Sequence, residues 1–348
     1  MVAKNILVTG AGGFIGHHLC NYLKWKNKND TVIGVDLKQP EFEKTRADEF
    51  FLMDLRYREN CEELMAHVRD KNGGSDTAEV YALAANMGGI SHITFHHAEI
   101  LYDNAMINWN TLQAAKEIGI KKYLYTSSAC VYPEYRQENP DVTPLKEEDA
   151  YPAQPDQEYG WEKLLAERLC TAYREDYGMD TKIVRFHNIA GPRGTWRGGR
   201  EKAPAALCRK VAVAKLMKWK KIDIWGDGEQ TRSFCYIDDC VRGIKMIMDS
   251  THNDPINLGQ DRMVSINELA HIIMDIAEYR CKIDHIPGPM GVRGRNSDNT
   301  RIYNLGWKPE ISLEEGLRRT YGWIEDLVNY ELATGADPKA LMDSKVYR

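Results

Sequence analysis

Three short stretches carry residue types that could do chemistry. In Tyr125-Thr126-Ser127-Ser128-Ala129-Cys130, an apolar, β-rich run delivers two hydroxyls and then a thiol. Tyr159 and Lys163 lie one helical turn apart, so both project from the same helix face. Gly10, Gly13 and Gly16 are spaced as in the turns that bring backbone close to a pyrophosphate. A free tyrosine titrates at about 10 and is a poor base near neutrality; a lysine ammonium beside it favours the phenolate. With Ser127 or Ser128 at a neighbouring strand end, the pair forms a proton relay for oxidising an alcohol to a ketone. Cys130 adds a second base, because a thiol of pKa about 8.5 becomes more ionised beside a cation.

The glycines have the context that gives such a fingerprint meaning. Asn5-Ile6-Leu7-Val8 reads as a strand, and a helix opens at Phe14 and Ile15. The free N–H groups and positive dipole end of that helix suit phosphate oxygens. Asp36 ends the second strand, where a carboxylate accepts from ribose hydroxyls and repels a 2′-phosphate, so NAD is expected rather than NADP. Asp54, in Phe51-Leu52-Met53-Asp54, is a candidate to cap the adenine.

These groups need a frame, and the first half of the chain supplies an alternating one. Strands are expected over 5–8, 31–35, 80–83, 123–126 and 182–185, and helices over 14–25, 102–117 and 159–177. Such alternation predicts an α/β fold, a Rossmann-type doubly wound parallel sheet, whose ligands lie beyond the carboxyl ends of the strands. The second half is less regular. Residues 191–204 form a loop rich in Gly, Arg and Pro, 255–258 rejoin the sheet as a strand, and the tail from 265 is mostly helical with a loop over 287–299. The lysines at 215, 218, 220 and 221 read as a solvated helix face. This organisation predicts a NAD-binding domain of residues 1–185 plus roughly 229–262, and a smaller discontinuous substrate lobe of roughly 186–228 plus 263–348.

The bulk properties narrow the classes of function. A net charge of −5 gives no footprint for nucleic acid, and no apolar run approaches the ~20 residues that span a bilayer. The chain enters its first strand almost at once, leaving no room for a secretory signal. Eight scattered cysteines without CxxC spacing point to buried thiols in a reducing cytoplasm, and no metal site is expected.

Glycine turn, serine-tipped strand and Tyr159/Lys163 together resemble the extended short-chain dehydrogenase/reductase family of NAD-dependent epimerases and dehydratases, over nearly the whole chain, including Leu305-Gly306-Trp307-Lys308-Pro309. The family's dehydratases place an Asp-Glu pair after the strand-end hydroxyl. Here Ala129-Cys130 stands instead, so dehydration lacks its acid, whereas simple epimerisation at carbon 4 needs no thiol. Four separated segments resemble the members that invert two carbons of a GDP-linked hexose: 127–133, 186–188, 199–204 and 291–298.

That resemblance implies GDP-mannose as substrate and three stages. A hydride leaves carbon 4 to NAD with Tyr159 as base, and the ketone acidifies the hydrogens on carbons 3 and 5. Cys130 and Lys202 then exchange protons on opposite ring faces. The hydride returns to give GDP-L-galactose, or GDP-L-gulose when carbon 5 alone is inverted. It also implies substrate contacts from Gly88, Ser128, Ala129, Cys130, Asn188, Glu201, Lys202, Ala203, Lys210, Gln230, Thr231, Arg232, Arg295 and Ser344. Arg232 and Arg295 suit a pyrophosphate, because guanidinium forms paired charge-assisted hydrogen bonds. A homodimer through the helix carrying Tyr159 and its predecessor is implied as well. Two other readings remain open: a 4-epimerase or reductase of another nucleotide sugar, and an NAD-binding sensor without turnover.

Overall fold

The computed structural model describes residues 3–71 and 74–343. In chain order the first half runs β1 (Asn5–Thr9), α1 (Phe14–Lys26), β2 (Thr31–Asp36), β3 (Glu49–Leu52), α2 (Arg58–Arg69), β4 (Ala78–Ala82), α3 (Ile90–Phe95), α4 (His97–Ile118), β5 (Lys122–Ser128), α5 (Glu158–Tyr177) and β6 (Asp180–Phe186). The second half continues with β7 (Ile189–Ala190), α6 (Ala203–Met217), β8 (Lys221–Trp225), β9 (Thr231–Ser233), β10 (Cys235–Tyr236), α7 (Ile237–Asp249) and β11 (Ile256–Leu258). It closes with β12 (Met263–Ser265), α8 (Ile266–Ile276), β13 (Lys282–Ile286), β14 (Gly294–Arg295), α9 (Thr300–Asn304), α10 (Leu313–Ala333) and α11 (Pro338–Met342).

Seven parallel strands form the central sheet in the order β11-β6-β5-β4-β1-β2-β3. Strand faces alternate between two cores, as a period of two requires. Leu7, Ile33 and Val80 bury against α2, α4 and α5, whereas Ile6, Val8 and Val32 bury against α1 and α7. Burial on both faces explains why these strands read as continuous apolar runs. The order reverses between β1 and β4, and the carboxyl ends of β1, β4, β5 and β6 open on one crevice, the usual ligand position in such sheets.

A third core gathers α6, α8 and α10 around Leu207, Val211, Ile273, Leu317 and Ile324. The tail expected to be mostly helical also contains strands: β13 pairs with β8, and β14, inside the expected 287–299 loop, joins β9 and β12. These strands are two to five residues long, too short to show a period. The lysines at 215–221 do not share one helix face, because α6 ends at Met217; Lys215 pairs with Glu325 at 2.8 Å.

His187, just after β6, is fully buried on Asn257 at 2.9 Å, and burial holds its imidazole down at about 3. The unfolded chain binds this proton below about 6.5 and the folded chain does not, so stability is lost as pH falls from 6.5 towards 3. Melting temperature should therefore drop across that window. A His187→Gln variant should show a flatter slope there, whatever its stability at pH 7.

Candidate active site

The first wall of the crevice is the turn between β1 and α1. Gly10 takes a left-handed φ of +69°, and a Cβ there would come within 2.9 Å of the Leu83 and Ala84 backbone. Thr9 Oγ1 accepts from both of those N–H groups at 3.0 Å, tying the β4 exit to the turn. A Cβ on Gly16 would strike the Gly10 carbonyl, so this glycine lets α1 start directly against the turn. Gly13 caps α1 without any side-chain hydrogen bond, which leaves first-turn N–H groups of Phe14 and Ile15 directed outward. Asp36 accepts from Gly12 N–H at 3.0 Å and from Leu37 N–H at 2.7 Å, so its carboxylate sits over the turn. Asp54 is held by Arg56, which grips it at 2.6–3.1 Å and also pairs with Asp103 at 2.8 Å.

The second wall is the end of β5 against the start of α5. Ser128 Oγ accepts from Cys130 N–H at 3.2 Å, folding 129–131 into a single tight turn. Gly160 lies on that turn, and a Cβ there would be driven into the Cys130 carbonyl oxygen. Tyr159 is consequently buried beside the thiol. Burial pushes its hydroxyl well up, the charges of Cys130 and Glu162 add to this, and a hydrogen bond from Ser128 pulls it back. Lys163 donates to the Thr126 carbonyl at 3.1 Å and stands 5.7 Å from the Tyr159 ring centre; burial pulls its ammonium down. Ser127, the other candidate hydroxyl, faces away and donates to Glu167.

The third wall comes from the second half of the chain. The 191–204 loop is anchored at Trp196, which is buried and whose carbonyl is held by Arg209 at 2.9 Å. Glu201 pairs with Arg209 at 2.5 Å and accepts from Gly199 N–H at 2.6 Å, so both its oxygens serve the loop. Gly89 donates to the Arg200 carbonyl at 2.9 Å, bringing the Gly88-Gly89 turn against the same segment. Lys202 follows, before Ala203 opens α6. Water reaches its side chain through the open crevice, while the protein packed around it lowers its pKa; the Cys130 thiol counters this. Lys210 is committed to Asp223 at 2.8 Å.

Parallel pairing of β14 with β9 sets Arg295 opposite Arg232, next to Gln230 and Thr231. Gln230 Oε1 is buried without a hydrogen bond, and Asn188, at a left-handed φ of 46°, donates to the Ser233 carbonyl at 2.9 Å. Thr231 donates to the Pro140 carbonyl. Arg232 is pulled down to about 9 by burial and by the Arg295 charge. Arg295, expected beside Arg232 on a pyrophosphate, instead extends to the thiol, with Nη1 3.3 Å from Cys130 Sγ. Ser344 lies outside the described residues. Gln137 and Asp156, which hold Arg295, were not legible as site residues, because neither lies in a recognisable motif.

Residues 6–259 match the model of the NAD dependent epimerase/dehydratase family. The chain belongs to that family. It is 47% identical to GDP-mannose 3,5-epimerase of Arabidopsis thaliana, across 98% of this chain and 87% of the relative. Among solved structures, UDP-glucose 4-epimerase of Thermotoga maritima with UDP-glucose gives a TM-score of 0.80 at 27% identity, covering 93% of this chain and all of that one. UDP-glucuronic acid 4-epimerase of Bacillus cereus, with UDP-glucuronic acid and NAD, gives 0.76 at 27% identity, covering 92% and 99%.

NAD is the cofactor of the family, and the first wall fits it. A Cβ at Gly10, Gly12 or Gly16 would meet backbone within 3 Å, which keeps the turn open to close approach by a pyrophosphate, and the Asp36 carboxylate over it is of the kind that accepts from ribose hydroxyls. Among the described residues no group of carboxylates, histidines and cysteines is suited to a metal ion, and no helix is long and apolar enough to cross a membrane. Gly160→Ala should cost about 1–3 kcal/mol in denaturant unfolding, the scale of forced overpacking, and should lower turnover together with stability.

Proposed function

We propose that the chain inverts carbons 3 and 5 of GDP-mannose through a transient ketone at carbon 4, giving GDP-L-galactose and, when carbon 5 alone is inverted, GDP-L-gulose. The observation that carries this reading is the placing of the Cys130 thiol. The Gly160 backbone rests on the Cys130 carbonyl, which puts the thiol next to the start of the helix that carries Tyr159, and the thiol acts electrostatically on both Tyr159 and Lys202. Bound NAD supplies the reversible hydride store that lets the carbon-4 alcohol become a ketone and return. Tyr159, with the Ser128 hydroxyl beside it, takes and later restores the alcohol proton, and Lys163 supplies positive charge behind the ring. Once the ketone exists, each neighbouring C–H is acidified by enolate delocalisation. Cys130 removes that proton, and Lys202 delivers one from the other face. Inversion needs two opposed groups, since one alone tends to return the proton where it came from.

In this reading Gly10, Gly13, Phe14, Ile15, Gly16 and Asp36 hold NAD. Gly88, Ala129, Asn188, Ala203, Gln230, Thr231 and Arg232 line the nucleotide-sugar path, with Arg232 on the pyrophosphate. Glu201 and Lys210 act by fixing the walls through Arg209 and Asp223. The cofactor domain is assigned to residues 1–185 with roughly 229–262, and the substrate lobe to roughly 186–228 with 263–348, an assignment supported by the separate core around α6, α8 and α10. Eight unpaired cysteines fit a reducing, cytoplasmic setting.

GDP-mannose turned over in deuterated water should gain label at carbons 3 and 5 by NMR. A 4-epimerase would leave both unlabelled, and a sensor would form no product. Cys130→Ser should slow label entry by about 10²–10⁴, the scale of a lost general base, with little change in GDP-mannose affinity. The assembly is proposed as a homodimer through α4 and α5, where Leu101, Tyr102, Trp161 and Leu165 are exposed on neighbouring helices. Light scattering should give twice the chain mass for the wild type and the single mass for Trp161→Glu combined with Leu165→Glu.

A further inference from the structure

The geometry points to Arg295 as a positioning residue for the Cys130 base: a bracketed guanidinium that holds the sulfur as its anion. This deepens the function proposed above and rests on it for the role of the thiol.

The bracket is built from residues far apart in sequence. Gln137 is fully buried, and its side-chain amide is fixed by donating to the Tyr132 and Pro133 carbonyls at 3.1 and 3.2 Å. Its Oε1 accepts from Arg295 Nε at 2.7 Å, while its carbonyl accepts from the Arg293 and Gly294 N–H groups at 2.9 and 3.1 Å. Gln137 therefore sets both the β14 backbone and the angle of the guanidinium. Asp156 Oδ2 stands 3.7 Å from Nη2 and steadies the other edge. With Nε and Nη2 so placed, Nη1 is left pointing at Sγ, 3.3 Å away. A guanidinium can only donate, so the sulfur must accept, and a thiolate accepts far better than a thiol.

The charged groups that face the sulfur come from several elements. Arg295, Arg232, Lys202 and Lys163 all act on the sulfur as cations, whereas Tyr159 is the other titratable neighbour and Asp156 the only carboxylate in the bracket. Buried Arg295 and half-buried Arg232 stand in register on neighbouring strands, and two cations so placed favour an anion between them. For a pyrophosphate Arg295 offers little, because a two-pronged grip would have to break its bond to Gln137 or to Cys130. Arg232 remains for that task, and the Nη2 of Arg295, buried without a hydrogen bond, is left for an oxygen of the sugar.

The test is alkylation of Cys130 by iodoacetamide in the NAD-loaded protein without sugar nucleotide, followed peptide by peptide across pH. A Cys130→Ser control identifies the signal. Arg295→Met should move the alkylation profile to higher pH by about one unit, a roughly tenfold slower reaction at pH 7. Superimposable profiles in wild type and Arg295→Met would overturn the inference. Should the methionine variant fail to fold by circular dichroism, the wild type decides alone: Cys130 must alkylate faster at pH 7 than the same chain's cysteines in urea, and an equal or slower rate sinks the idea. Neither readout needs turnover. A shifted profile without deuterium entry into GDP-mannose would leave Arg295 in place and remove the epimerase reading instead.

Discussion

Everything in the crevice depends on how closely α5 approaches the turn that follows β5. Only a residue without a side chain at position 160 lets the helix backbone rest on the Cys130 carbonyl. That contact fixes three things together. It brings Tyr159 beside the thiol, it lays Lys163 under the β5 backbone at Thr126, and it buries both polar groups away from water. A looser contact would leave the same residues in the same order, but the thiol and the phenol would no longer be held side by side at the crevice.

Burial on this scale changes which protonation states are accessible. Tyr159 is pushed up and Lys163 is pulled down by desolvation, so the pair does not spontaneously exist as phenolate and ammonium merely because the two are adjacent. Reading the spacing alone puts the ammonium on the phenol. The folded chain puts it on a backbone carbonyl, with the ring 5.7 Å away, where it acts through space. Charge needed at the phenol must then come with the ligands that fill the crevice.

What could be read from sequence was local, and what could not was long-range. The glycine turn, the Ser128–Cys130 turn and the Tyr159–Lys163 face each lie within one strand–turn–helix passage, where spacing and geometry are nearly the same thing. The parallel sheet followed from alternation of elements. Arg295 was visible as an arginine in a glycine-rich segment but not as the thiol's partner, since 165 positions separate them and the pairing of β14 with β9 decides where it points. Gln137 and Asp156 carry no signature, and the grip of Arg56 on Asp54, two residues away, is likewise not announced by any motif. Glu201 and Lys210 likewise look like ligand groups in sequence and are ion-paired with the protein in the fold.

The chemistry of the thiol explains why it can stand among so many cations. A general base works best when its pKa lies near the working pH, because it must be both ionised and able to hold a proton. A carboxylate starts at about 4, and neighbouring arginines push it further from use. A thiol starts at about 8.5, already closer to the working range of a base than such a carboxylate. Lys202 is matched from the opposite direction, starting high and being lowered by the protein around it, which makes its ammonium a readier proton donor. In the proposed reading, a crevice rich in positive charge for a diphosphate thus suits sulfur better than oxygen as its base, with the water-accessible Lys202 amine as its acid.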